Sequence, residues 1–528
     1  MKIKLLIPIL FLTFTVVQGQ TTFQKTYGGP TGDFGQSVQQ TNDGGFIITG
    51  ITELGAGPSD VYLVKTDSNG VLLWSKTFGG PGNESGYSVQ QTNDGGFIIT
   101  GNTDGFGAGG SWDVYLVKTD SNGVLQWSKT FGGTGSDEGY SVQQTNDGGF
   151  IIAGYTTSFG GGDVYLVKTF SDGTLQWTKT YGYSLPSNDM GKSVQQTIDG
   201  GFIITGLTSK DESAFDVYLV KTDSVGTLLW AKTFGDTLLD DIGNSVIQTT
   251  DGGFIITGTK THTVTDSLGT YYYGDVYLIK TASDGTMLWT KTYGGTRADE
   301  GYSVQQTNDG GFIISGFTQS FGNGVYLMKT ALDGTLQWSK TYAPAPAVFA
   351  NYGYSVQQTS DGGFIISGNT TNVATGFDVY LIKTNINGNS GCYETNPNTI
   401  EGSGGTQGTG GMQGTGGVTS TPASQASSGG IETTLCTTTG INEIAEEDYL
   451  ITIFPNPFST QTTFHTGNLL KNAALTVYNL YGQQVKQIKN ISGQTVTLFR
   501  DNLSSGLYFI QLTEDSKVIT ADKLIITD

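Results

Sequence analysis

Carboxylates are the groups in this sequence best suited to chemistry. Asp33, Glu84, Asp137 with Glu138, Asp189, Asp240 with Asp241, and Asp299 with Glu300 each stand just ahead of a recurring Ser-Val-Gln/Ile-Gln-Thr segment. Acids gathered at one mouth of a fold supply the hard oxygen ligands that calcium takes, which makes Asp137, Glu138, Asp299 and Glu300 candidate metal ligands. None follows a calcium-loop spacing, and acids in turns also accept local backbone hydrogen bonds, so both readings stand. The reading is of a protein without a cofactor, with calcium at these acids as the alternative. Aromatic side chains in long loops, Tyr271, Tyr272, Tyr273 and Trp112, are candidates for stacking on a glycan. His262 and His465 are the only histidines, so no histidine-based triad assembles and no catalytic residue is assigned. Cys392 and Cys436 are the only cysteines and form a candidate disulfide, with two free thiols as the alternative.

These residues sit on a repeat. The stretch Ser37 to Gly50 recurs, and its turn aspartate appears as Asp43, Asp94, Asp147, Asp199, Asp251, Asp309 and Asp361, at steps of 51, 53, 52, 52, 58 and 52 residues. One supersecondary unit is therefore repeated seven times. Within a unit, β-branched and aromatic runs alternate with Asp-Gly and Asn-Gly turns, which predicts four short antiparallel strands. Helical periodicity is absent, and the pattern predicts an all-β chain built as a seven-bladed β-propeller over residues 20–391. The seventh unit lacks its fourth strand, and the segment Phe23 to Gly29 matches the missing piece, so the N-terminal strand is expected to close the ring and remove its open edge.

Residue roles follow from that frame. Trp74, Trp127, Trp177, Trp230, Trp289 and Trp338, one per unit at one strand position, read as wedges between blades. Lys76, Lys129, Lys179, Lys232, Lys291 and Lys340 fall on the outermost strand, where lysine discourages pairing with another chain. Of the paired glutamines, the first is expected to pack, since Ile247 replaces it once, and the second to satisfy backbone groups near the axis. The run Asp-Val-Tyr-Leu-Val-Lys-Thr-Asp-Ser-Asn-Gly, followed by Trp and Lys-Thr-Phe-Gly-Gly, resembles the bacterial seven-bladed β-propeller repeat family of extracellular proteins over about residues 21 to 390. That resemblance implies a fold and no particular activity. Turns one and three of each unit are short and alike, whereas the second loop and the inter-blade loop vary widely, which locates any ligand on the variable face.

The ends of the chain address it. Lys2 and Lys4 precede an apolar run from Leu5 to Val17, predicting a signal peptide over residues 1–19 and no transmembrane segment after its removal. A net charge of −20 opposes phosphate backbones and argues against nucleic acid as a partner. Residues 392–448 are rich in Gly, Ser, Thr and Gln and read as a flexible linker, with processing expected between Gly440 and Leu450. Residues 449–528 alternate strands with Gly and Asn turns, predicting a small β-sandwich. There Ile453-Phe454-Pro455-Asn456-Pro457, Val477 to Gly482, Leu503 to Tyr508 through Gly506, and Lys523 to Ile526 resemble the type A C-terminal sorting domain of the type IX secretion system. The resemblance implies signal-peptide export in a Gram-negative bacterium, outer-membrane translocation by the type IX machinery, removal of the domain by a sortase-like peptidase, and a secreted or surface-bound product. The chain thus reads as a non-enzymatic binding or adhesion module for an extracellular glycan or surface protein; the alternative is a polysaccharide-active or quinone-dependent propeller enzyme.

Overall fold

In the computed structural model the described residues are 20–438 and 451–528, apart from 54–56, 107–110, 183–187, 210–213, 236–237, 267–268, 345–349, 373–375, 404–405, 410–411, 415–417, 421–424, 428–430, 480–483 and 515–516. The signal-peptide reading and the whole processing stretch between Gly440 and Leu450 lie outside them. The chain divides into two compact units, Met1–Gly440 and Ile441–Asp528.

The first unit consists of small antiparallel sheets, and no helix occurs among the described residues. Sheet 1 runs Asp33–Gln40, Phe46–Glu53, Ser59–Thr66 and Leu72–Gly79, and sheets 2 to 6 repeat that order, each strand bonded to the next. Sheet 7 has Tyr352–Gln358, Phe364–Asn372 and Gly376–Thr384, and its fourth strand is Thr22–Gly28 from the other end of the chain, with Phe23 opposite Lys383 and Tyr27 opposite Val379. Each hairpin turn is fixed in the same way. In the first, Gly44 takes a φ of 82°, which glycine alone adopts freely, and Asp43 Oδ1 accepts from Gly45 N at 3.0 Å. The same aspartate pairs with Lys65, buried on the third strand, and the bond recurs as Asp94–Lys118, Asp147–Lys168, Asp199–Lys221, Asp251–Lys280, Asp309–Lys329 and Asp361–Lys383 at 2.9–3.0 Å. The repeat's Lys-Thr dipeptide is thus a buried ammonium with a dedicated counter-ion.

The core lies in the seams between sheets. Seven apolar clusters each join two neighbouring sheets, and one of them, with Phe23, Tyr27, Val38, Phe46, Tyr62, Ile365 and Leu381, joins sheet 7 to sheet 1. The tryptophans act as the expected wedges. Trp74 packs on Phe97 of the next sheet at 6.0 Å between ring centroids, and Phe23 takes the same place against Phe46 at 6.2 Å. Polar links follow the same cycle. Val89 N donates to Ser37 Oγ at 3.3 Å, the bond repeats at each seam, and the last runs from Val38 N to Ser355 Oγ at 3.2 Å.

Three expectations are corrected here. The first glutamine of each pair is not a packing residue: Gln39 Oε1 accepts from Gln91 N at 2.6 Å, and Gln90, Gln143, Gln195, Gln305 and Gln357 repeat the bond, which Ile247 lacks the amide to make. The lysines of the fourth strands do not stand on an open edge, because each sheet carries a fifth strand beyond them. That strand comes from the segment expected to be a flexible linker. Glu394–Thr395, Ile400–Ser403, Thr406–Thr409, Met412–Gly414, Val418–Ser420 and Gln425–Ser427 pair antiparallel with sheets 6, 5, 4, 3, 2 and 1 in turn, and Ile431–Thr438 pairs with Thr22–Gly28. A composition poor in apolar side chains cannot build a core, but a backbone ladder on an open sheet edge does not require one. Cys392 is disulfide-bonded, and the backbone of Cys436, the partner expected from the sequence, stands opposite Gln24 on Thr22–Gly28.

The second unit is one continuous sheet of Ile451–Phe454, Gln461–Tyr478, Gln484–Phe499, Gly506–Glu514 and Lys517–Ile526, where two stacked sheets are expected from the turn pattern. The 18-residue Gln461–Tyr478 strand pairs with Ile451–Phe454 in its first part and Gly506–Glu514 in its last, with register breaks between. One bent sheet thereby encloses a core of Phe464, Leu475, Val477, Leu498, Ile510 and Leu524.

Candidate functional site: the bulge residues of the inner strands

Every first strand carries a β-bulge at one position. In sheet 2 the register passes from Gly86 opposite Gly101 to Ser88 opposite Thr100, leaving Tyr87 unpaired, and the break recurs in all seven sheets. Glycine makes the bulge possible: a Cβ on Gly101 would lie 1.6 Å from Ser85 O. A bulge aims its extra side chain away from the ladder. The seven residues so presented are Gln36, Tyr87, Tyr140, Lys192, Asn244, Tyr302 and Tyr354, between an invariant glycine and an invariant serine.

Neighbouring bulge residues meet. The rings of Tyr87 and Tyr140 lie 5.5 Å apart and those of Tyr302 and Tyr354 5.0 Å apart. Tyr352 stacks on Tyr354 at 5.5 Å with its planes 4° apart, and Phe317 backs Tyr352 at 4.8 Å. Lys192 Nζ donates to Asn244 Oδ1 at 3.0 Å, and Asn244 Nδ2 donates to Gly301 O at 2.8 Å. Two acids complete the set. Glu138 accepts from Tyr140 Oη and from Asn102 Nδ2, and Glu300 accepts from Tyr302 Oη at 2.5 Å. Burial, then these carboxylates, hold the Tyr140 and Tyr302 phenols well above their ordinary range. Burial pushes the Lys192 ammonium down, and the charge of Glu300 opposes that. Four half-buried phenols, two amides, one ammonium and two carboxylates make an amphipathic surface able to stack on a ring and bond to its hydroxyls.

The acids singled out from sequence separate. Asp137 and Glu138 are consecutive in a strand and point to opposite sides, as do Asp299 and Glu300. Asp137 is fully buried in a seam, accepting from Gly133 N at 2.8 Å and Ser158 Oγ at 2.5 Å, and Asp299 repeats this with Gly295 N and Ser320 Oγ. Each seam acid lies beside a second carboxylate of the preceding sheet. Asp113 Oδ1 and Asp137 Oδ2 both fall within 2.7 Å of where a Cβ on Gly132 would be, and Asp60 with Glu84, Asp163 with Asp189, Asp216 with Asp241, Asp275 with Asp299, and Asp378 with Asp33 share the arrangement. Desolvation, then the neighbouring charge, raises Asp163 to about 6 and Asp275 to about 7; desolvation likewise raises Glu84 to about 7 against bonds from Thr103 and Gly80. The seam between sheets 6 and 7 lacks both acids and the glycine: Gly324, Asn351 and Ala343 occupy those positions. No group of three or more metal-ligating side chains occurs among the described residues.

Tyr271, Tyr272 and Tyr273 lie on a long hairpin of Phe254–Asp266 and Gly269–Thr281, with Tyr272 64% exposed and Tyr271 stacked on Tyr273 at 6.2 Å. Trp112, in the corresponding loop of sheet 2, offers its carbonyl to Asp137 N at 2.7 Å. The structure does not bring these two loops together, since they belong to sheets 2 and 5. Sequence reasoning missed the bulge residues, although the signal was present: one position varies freely inside the otherwise constant Gly-x-Ser-Val frame.

In the second unit the sorting landmarks converge. Asn456 Nδ2 donates to Lys523 O at 2.9 Å and its Oδ1 accepts from Ile525 N at 2.8 Å, tying the Pro455-Asn456-Pro457 segment to the last strand. Gly506 takes a φ of 153° at the start of its strand, and Gly482 lies outside the described residues.

Comparison with known proteins bears on the two units differently. A regulatory protein of Caulobacter vibrioides, FlaEY, is 27% identical over 158 residues, which is 26% of this chain and 16% of that protein, so the match spans a small part of that relative. A protein of unknown function from Dyadobacter fermentans aligns over 70% of this chain and 99% of its own at 12% identity, with a TM-score of 0.38. Another of unknown function, from Bacteroides caccae, aligns over 55% and 92% at 10% identity, with a TM-score of 0.35. Residues 452–527 match the secretion system C-terminal sorting domain. No helix among the described residues is long and apolar enough to cross a membrane. The chain therefore ends in a type IX sorting domain, read by that secretion machinery, and is a secreted or cell-surface protein.

Proposed function

We propose that the first unit is a closed seven-bladed β-propeller exported as type IX cargo, and that it binds an extracellular glycan at the axial end of its variable face. The observation that carries this reading is the set of bulge residues: a repeated frame holds the backbone constant while Gln36, Tyr87, Tyr140, Lys192, Asn244, Tyr302 and Tyr354 differ. Paired tyrosines supply stacking faces for sugar rings, and the amides and acids supply donors and acceptors for hydroxyls. The cyclic order of seams supports closure. The Tyr271 to Tyr273 hairpin and the Trp112 loop serve as outer contacts for a longer chain. A sortase-like peptidase removes the tail after translocation.

The test is a screen of the full chain against an array of extracellular polysaccharides, followed by titration of the hits. Paired substitutions Tyr87→Ala with Tyr140→Ala, and Tyr302→Ala with Tyr354→Ala, are each expected to weaken binding at least about tenfold, the effect of losing one good stacking contact. Full retention of binding by both pairs, or turnover of the bound glycan, overturns the proposal.

A further inference from the structure

Lys192 departs from the way this fold treats its other inward lysines. Lys65, Lys118, Lys168, Lys221, Lys280, Lys329 and Lys383 each face an aspartate at 2.9–3.0 Å. Lys192 is half-buried among the bulge residues and bonds at 3.0 Å to the neutral amide oxygen of Asn244, with no carboxylate among the described residues at ion-pair distance. The frame does not require a cation there, since Gln36 and Asn244 fill the same position in sheets 1 and 5. The carboxylate whose charge acts on Lys192, Glu300, makes no ion pair with it and accepts instead from Tyr302 Oη; a partly desolvated ammonium so weakly compensated is unfavourable, and an anionic ligand relieves that cost.

We propose that Lys192 makes the axial site selective for carboxylate-bearing saccharides, its ammonium taking the carboxylate of a uronate residue while the tyrosine pairs hold the sugar faces. This rests on the glycan reading above. Charge favours a monoanion over a phosphate: one ammonium stands near Glu300, on a protein of net charge −20, and a dianion meets more repulsion than one lysine offsets. Asn244, pinned by Gly301 O, holds the ammonium in place for the incoming group.

The experiment is calorimetric titration of the full chain with tetragalacturonate and tetramannuronate, each beside its methyl ester, at low and at 0.5 M salt. Wild type is expected to bind one acid about tenfold tighter than its ester, with the preference shrinking at high salt. Lys192→Gln is expected to bring the acid's affinity down to that of the ester, and Lys192→Arg to keep most of the preference. Equal binding of acid and ester by wild type, or a preference that survives Lys192→Gln, overturns the inference while leaving glycan binding intact. Absence of binding to these probes and to every neutral glycan on the array overturns both readings.

Discussion

Replacing Glu84 with glutamine should stabilise the first unit, by an amount that grows as pH rises from about 4.5 to about 7 and then levels off. Glu84 is fully buried in the seam between sheets 1 and 2, beside Asp60, and its pKa is raised from 4.5 to about 7. A carboxyl whose folded pKa lies above its unfolded value contributes stability that is complete below the unfolded value and is lost as pH rises through the folded one. The shift corresponds to about 3 kcal/mol, or about 2 kcal/mol once the seam relaxes around the charge. Asp163 and Asp275, raised to about 6 and about 7, add the same sign. The turn aspartates have lowered pKa values, so their contribution disappears only in acid, below the usual 3.8. Between pH 5 and 8 the seam acids therefore dominate. Glutamine keeps an acceptor for Gly80 N and a partner for Thr103 Oγ1 without the charge. All seven tryptophans lie in the first unit, so urea unfolding followed by tryptophan fluorescence reports it alone. The wild-type midpoint should fall from pH 5 to pH 8, and Glu84→Gln should exceed wild type by less than about 1 kcal/mol at pH 5 and by about 2 kcal/mol at pH 8. A wild-type midpoint that rises over that range, or a variant indistinguishable at both pH values, refutes the reasoning.

Two other substitutions probe the repeat and its closure. Asp199→Ala leaves Lys221 buried without its counter-ion and is expected to cost about 3 kcal/mol, whereas the double variant Asp199→Ala with Lys221→Met should recover most of that in the same urea assay. Cys392→Ser removes the disulfide, whose partner expected from the sequence is Cys436; it is expected to cost about 4 kcal/mol in the chain-entropy model and to admit proteases between residues 404 and 430, read by mass spectrometry of early fragments.

Sheet number, strand order and the N-terminal completion of sheet 7 were legible because they depend on local turn chemistry repeated seven times: Asp43-Gly44-Gly45 is the same solution as Asp361-Gly362-Gly363. What escaped depends on partners distant in sequence. Lys76 and its equivalents read as guards of an open edge, and the Gly-Thr-Gln segment as a tether, until that segment is laid along the seven sheet edges. Glu138 and Asp137 look like one acidic pair in sequence, yet strand alternation sends them to different environments. The bulge residues escaped because the repeat drew attention to what is constant.

The fifth strands travel around the first unit in the reverse of the order in which the sheets are made. Each sheet is thereby completed by backbone drawn from a distant part of the chain, so a protease that nicks one loop between sheets leaves both fragments hydrogen-bonded to the strands that lie between Glu394 and Thr438.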